Sequence, residues 1–150
     1  MSYTKHTNLD ESRRIDMPSI IDIEGIGPIY KKKLKAIGIV TTEKLLELGA
    51  TPKSRKDLAE KTGIGEALIL EWVNLADLFR IKGVGSEYSD LLEEAGVDTV
   101  IELSKRVPKN LYDKMEEINA AKKLVRKMPV EKQVADWVNQ AKKLPRLVSY

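Results

Sequence analysis

One stretch of this chain occurs twice. IEGIGPIYKKKLKAIGI, residues 23–39, returns as IKGVGSEYSDLLEEAGV, residues 81–97. A single offset pairs Gly25 with Gly83, Gly27 with Gly85, Tyr30 with Tyr88, Leu34 with Leu92, Gly38 with Gly96 and Thr41 with Thr99. Further along, TPK at 51–53 answers VPK at 107–109, and WVNLA at 72–76 answers WVNQA at 137–141. The Pro-to-Trp spacing is 20 residues in the first copy and 29 in the second, an insertion of nine. A repeat on this scale means one supersecondary unit built twice, with the second copy drifted. The units predicted from it are a first at 18–80 and a second at 81–150, after a polar tail at 1–17.

The spacing of apolar residues inside each copy is helical. Pro28 suits the first position of a helix, where a missing N–H does no harm. Tyr30, Leu34 and Ile37 then share one face, and Gly38 supplies a left-handed stop; Tyr88, Leu92, Ala95 and Gly96 repeat the arrangement. Thr41 or Thr42 caps a short helix carrying Leu45, Leu46 and Leu48, and Pro52 opens another. TGIG at 62–65 makes a second tight turn. The helix after it carries Leu68, Trp72, Leu75, Ala76 and Phe79 as an apolar stripe. Val134, Trp137, Val138, Ala141 and Leu144 form its counterpart. Period-2 alternation is absent, so the expected class is all-α. No Gly/Pro/Ser linker separates the stripe from Ile81, which predicts two units docked through a shared helix.

Composition narrows the chemistry. Across 150 residues there is no cysteine and one histidine, His6. That removes thiol nucleophiles, Cys/His zinc sites and a Ser-His-Asp triad in the body of the fold. No D-x-D-x-D-G calcium loop occurs among the acids. Gly25-x-Gly27 is no dinucleotide fingerprint, because Tyr30 stands where the third glycine belongs and no strand precedes it. The expectation is a non-enzyme with no metal and no cofactor. No run approaches 18 apolar residues, and residues 1–20 lack the apolar core of a secretory signal, so the expected location is cytoplasmic.

Charge is distributed unevenly. Residues 21–40 carry a net +2, residues 81–98 a net −4, and residues 105–146 a net +7. Glycines flanking one hydrophobic residue allow positive φ and close approach to the backbone. The free N–H groups opening the next helix make an anion site there. Phosphate is the obvious anion where lysines flank the turn. In the second copy Glu87, Asp90, Glu93 and Glu94 repel phosphate, so those glycines serve the fold.

On these residues the chain resembles the helix-hairpin-helix family. IEGIGPIYKKKLKAIGI with the following TTEKLLELGATPKSRKDLAEKTGIGEALILEWV is similar to the N-terminal domain of RadA-type recombinases. Over about Pro18 to Leu144 it resembles a tandem helix-hairpin-helix family of uncharacterised function. The resemblance implies backbone phosphate binding, without sequence preference, by Gly25, Ile26, Gly27 and the amide of Ile29, with Lys31, Lys32 and Lys35 nearby. It departs from the family at Lys31 and Ser89, where the motif has alanine for close helix packing. KSRK at 53–56 is a candidate auxiliary patch. Lys122, Lys123, Arg126, Lys127, Lys142, Lys143 and Arg146 read as a solubilising face. Trp72, Trp137, Tyr30 and Tyr88 read as core and not as base-stacking platforms. A second reading stays open: a protein-interaction module or scaffold, self-associating through its basic and acidic ends. The expected partners are therefore DNA backbone, or a protein partner or second copy, with no membrane and no small-molecule substrate.

Overall fold

The computed structural model describes residues 18–150, and the tail at 1–17 with His6 lies outside them. The described residues form a 3-10 turn, Ile20–Asp22, and eight α-helices with no strand. The helices are α1 (Pro28–Lys35), α2 (Thr42–Leu48), α3 (Pro52–Thr62), α4 (Glu66–Leu78), α5 (Ser86–Glu94), α6 (Val100–Ser104), α7 (Pro108–Lys122) and α8 (Glu131–Lys143). The class is all-α, as the periodicity requires.

Local chemistry sets most boundaries. Thr41 and Thr99, paired by the repeat, cap α2 and α6 by accepting from the amides of Lys44 and Glu102. Each supplies an oxygen for one otherwise orphaned donor. Thr51 and Ser54 close a reciprocal capping box at the start of α3. Pro28, Pro52 and Pro108 all stand at helix starts. Gly38 and Gly96 take φ of 86° and 93° after α1 and α5, where the amides of Ile39 and Val97 reach back to Leu34 and Leu92. The insertion is also placed. α7 has 15 residues against 11 for its counterpart α3, and the remaining extra residues widen the connection to α8. There Asn119 holds the loop by bonding both the amide and the carbonyl of Val125.

Packing repeats with the sequence. α4 lies against α2 and α3, and α8 lies against α6 and α7. Two apolar clusters result. One gathers Ile20, Ile26, Leu34, Leu45, Trp72 and Val73, the other Leu78, Val84, Leu92, Val100, Trp137 and Val138. The change of cluster falls inside α4, between Ala76 and Leu78. Both tryptophans are fully buried, each stacked edge-on or tilted against the tyrosine of its own copy. Their indole N–H groups find no hydrogen-bond partner among the described residues and press against the underside of Gly25 and Gly83.

Two features cross between the clusters. Asp77 is buried at the end of α4, pairs with Arg80, and accepts the amide of Val100 at the start of α6 at 2.9 Å. The segment after α8 turns back so that Val148 enters the first cluster.

Candidate nucleic-acid interface

The first Gly-x-Gly turn is seated by Ile26, whose side chain is buried and whose amide donates to the Ile23 carbonyl at 3.1 Å. That amide is committed within the turn, so Ile26 anchors the turn and offers no donor. Gly25 is at φ 95°, and Gly27 caps α1 without a side-chain hydrogen bond. Nothing lies within 4 Å of where a Cβ on Gly27 would sit, so the backbone there is open to approach. The Ile29 side chain is 72% exposed. Lys32, Lys33 and Lys35 are exposed and Lys31 is half-buried. None of these lysines joins an ion pair among the described residues. Lysine side chains on a helix lean toward its N-terminus, which brings this charge back toward the turn.

The second turn has the same backbone and different surroundings. Val84 is the plug, Gly83 is at φ 95°, and Gly85 caps α5. Gln140 on α8 accepts the Lys82 amide at 2.9 Å and donates to the Lys82 carbonyl at 3.1 Å, stapling the turn from beneath. In WVNLA the aligned residue is Leu75, which cannot make that staple. Ser89 is buried where α5 meets α4 and α7, while its counterpart Lys31 stays half-exposed. A small residue suits the buried position in the second copy, while the long charged one in the first copy keeps part of its side chain in solvent.

Three helices begin from a glycine without a side-chain cap: α1, α4 and α5. Glu66 stands in the first turn of α4 and Glu87 in that of α5, so each already places negative charge at its own dipole. α1 has no acid in its first turn. Its positive end therefore faces no carboxylate of its own first turn.

The acids of α5 meet others across the joint with α4. A cleft of about 210 Å³ is lined by Glu71, Asn74, Glu93 and Asp98 among apolar residues. Burial pushes the Glu93 carboxyl up to about 7, with the carboxylates of Glu71, Asp98, Asp90 and Glu94 adding to the effect. Burial also raises Asp90, helped by Glu24 and Glu94 and opposed by Lys122. A carboxyl whose folded pKa exceeds its unfolded one binds its proton more tightly in the native state. The contribution of this carboxyl to stability is then fully present below about 4.5 and is lost as pH rises through 7. Glu93→Gln is expected to leave stability unchanged near pH 5 and to raise it by about 1 kcal/mol at pH 8, a figure discounted for solvent screening. Urea unfolding at both pH values checks this.

Comparison with known proteins places the chain in a family. A family model described as Domain of unknown function (DUF4332) matches residues 24–144. The chain belongs to the DUF4332 family. Curated relatives of this DUF4332 chain include the UPF0758 proteins of Streptococcus agalactiae serotypes Ia and V. Each is 30% identical over 122 residues, an alignment covering 69% of this chain and 52% of the relative. The chain thus spans about half the length of the curated relatives it matches. No solved structure matches.

Within this DUF4332 chain the auxiliary patch divides. Lys53 and Lys56 are exposed, but Arg55 is 5% exposed and donates to the Gly49 carbonyl at 2.8 Å and the Ser149 carbonyl at 2.7 Å. Arg146, assigned above to a solubilising face, donates to the Val148 carbonyl and lies against the Tyr150 ring. Neither residue differs in its immediate sequence from a solvated cation. Their partners lie in segments that only the fold brings near. No helix among the described residues is long and apolar enough to cross a membrane.

Proposed function

We propose that the chain binds nucleic-acid phosphates, without reading sequence, at the first Gly-x-Gly turn. One observation carries this reading: of the three glycine-capped helix starts, α1 alone has no acid in its first turn, and it bears a lysine face free of ion pairs. The amides of Gly27 and Ile29 face a phosphate oxygen, the helix dipole favours its charge, and Lys31, Lys32 and Lys35 hold the neighbouring phosphates. Gly25 supplies the positive φ that aims the turn, and Ile26 anchors it. This is the role of a helix-hairpin-helix edge. It needs no catalytic group and no cofactor.

The expected strength is modest. Two or three neutralised phosphates give a salt slope of about −2 to −3 and dissociation constants on the order of 10⁻⁴ to 10⁻⁶ M. Fluorescence anisotropy with short duplex DNA across a salt series is the test. Lys31→Glu/Lys32→Glu/Lys35→Glu is expected to weaken binding at low salt by at least about tenfold and to flatten the slope, with helicity intact. Equal binding by wild type and variant would remove the first turn from the interface.

A further inference from the structure

The segment after α8 is held as a ligand is held. Leu144 leaves the helix in extended conformation, and Pro145, Arg146 and Leu147 run exposed along the surface. Arg80 touches this stretch by donating to the Pro145 carbonyl at 2.9 Å. Val148 then drops into the first apolar cluster, at 3% exposure. Both main-chain groups of Ser149 are bound: its N–H donates to the Ala50 carbonyl at 2.8 Å, and its carbonyl accepts from Arg55 at 2.7 Å. The Tyr150 hydroxyl donates to Asn74 at 2.9 Å, and the guanidinium groups of Arg55 and Arg146 each lie 5.9 Å from its ring centroid.

We propose that Ala50, Arg55 and Asn74, with the apolar pocket they border, form a docking site for an extended aliphatic-x-tyrosine segment, and that its occupant in trans is residues 145–150 of a second copy. The chemistry of recognition is visible in the bound strap. An aliphatic side chain is read by a pocket, the next residue by its backbone alone, and a tyrosine by a hydroxyl acceptor and the Arg55 guanidinium beside its ring. The cradle belongs to the first repeat and the strap follows the second, across separations of 76 to 99 residues. Exchange between copies therefore reproduces every contact, which is the condition for a swapped pair. The second repeat has no such cradle, because TPKSR aligns with VPKNL and places Leu111 where Arg55 stands. A tether this short gives the strap an effective concentration of millimolar order in cis, so exchange shows itself when the cis contact is weakened. This site is separate from the phosphate edge and does not depend on it.

The test uses two full-length variants. Val148→Asp disables the strap and leaves the cradle vacant. Arg55→Leu, copying the second repeat, disables the cradle and leaves the strap intact. A labelled PRLVSY peptide is expected to bind Val148→Asp at least about tenfold more tightly than wild type, whose cradle is filled in cis, and not to bind Arg55→Leu. Light scattering is expected to show single chains for each variant alone and a one-to-one pair when they are mixed. Ser149→Pro, which removes one amide donor at an exposed residue, takes the place of Val148→Asp should the latter lose helicity. Peptide binding no tighter than to wild type, or a mixture that stays at single-chain mass, overturns the proposal.

Discussion

Asp77→Ala is expected to destabilise the protein by about 3–5 kcal/mol, the range for removing one partner of a buried ion pair. The Asp77 side chain is 3% exposed and its Oδ1 lies 2.7 Å from the Arg80 guanidinium. Its other oxygen accepts the Val100 amide, one of the donors that a helix leaves orphaned at its start. The substitution strands a guanidinium whose side chain is 14% exposed and a buried amide at once. Asp77→Asn keeps an acceptor for Val100 and loses the charge, so its cost is expected to be smaller. Because this side chain ties α4 to α6, the loss falls on the joint between the two apolar clusters. Urea unfolding followed by circular dichroism measures the total, and amide exchange at Val100 shows whether α6 loosens first.

Gly83→Ala is expected to cost about 2–4 kcal/mol, and Gly85→Ala, two residues on, less than about 1 kcal/mol. Gly83 combines two demands. Its φ of 95° strains any L residue, and a Cβ there would lie 3.0 Å from the buried Nε1 of Trp137. Gly85 has φ −112° and open space above it. Gly25 repeats the first situation with slightly more room, at 3.3 Å from Trp72, so Gly25→Ala should fall between the two. Unfolding midpoints for the three variants give the order directly. Similar losses at Gly83 and Gly85 would mean that the indole contact does not set the cost.

The elements of this fold were readable because their signals are local. Prolines at N1, threonine caps and left-handed glycines act within four residues of themselves, and the repeat gave each a second instance. The apolar stripes of α4 and α8 were readable because burial follows a helical period that counting reveals. What could not be read is what pairs at distance. Asp77 sits among apolar residues of α4 with nothing in sequence to announce Val100. Arg55 stands between two exposed lysines, Ser54 apart, and shares their composition but not their direction. Val148 and Tyr150 follow α8 with no periodic pattern, and nothing in sequence pairs them with the first cluster and Asn74.

The candidate site divides along the same line. The expectation that the second turn does not bind phosphate comes from counting its acids. That Glu93 is half-buried against Glu71 followed only from the packing of α5 on α4. The commitment of the Ile26 amide to Ile23 is a property of the turn's closure, and residue types alone are silent on it. The Gln140 staple, which ties the second turn to α8, lay in plain view as the one difference between WVNLA and WVNQA. A hydrogen-bonding side chain replacing leucine on a buried helix was the available signal.

On the proposed function, the duplicated turn binds phosphate in one copy and supports the fold in the other. The most direct measurement is an amide-resolved NMR titration of the protein with a short DNA duplex at low salt. Progressive shifts are expected at Gly27, Ile29 and Lys31, with Gly85 and Glu87 unmoved. Shifts at neither turn, or equal shifts at both, would contradict it.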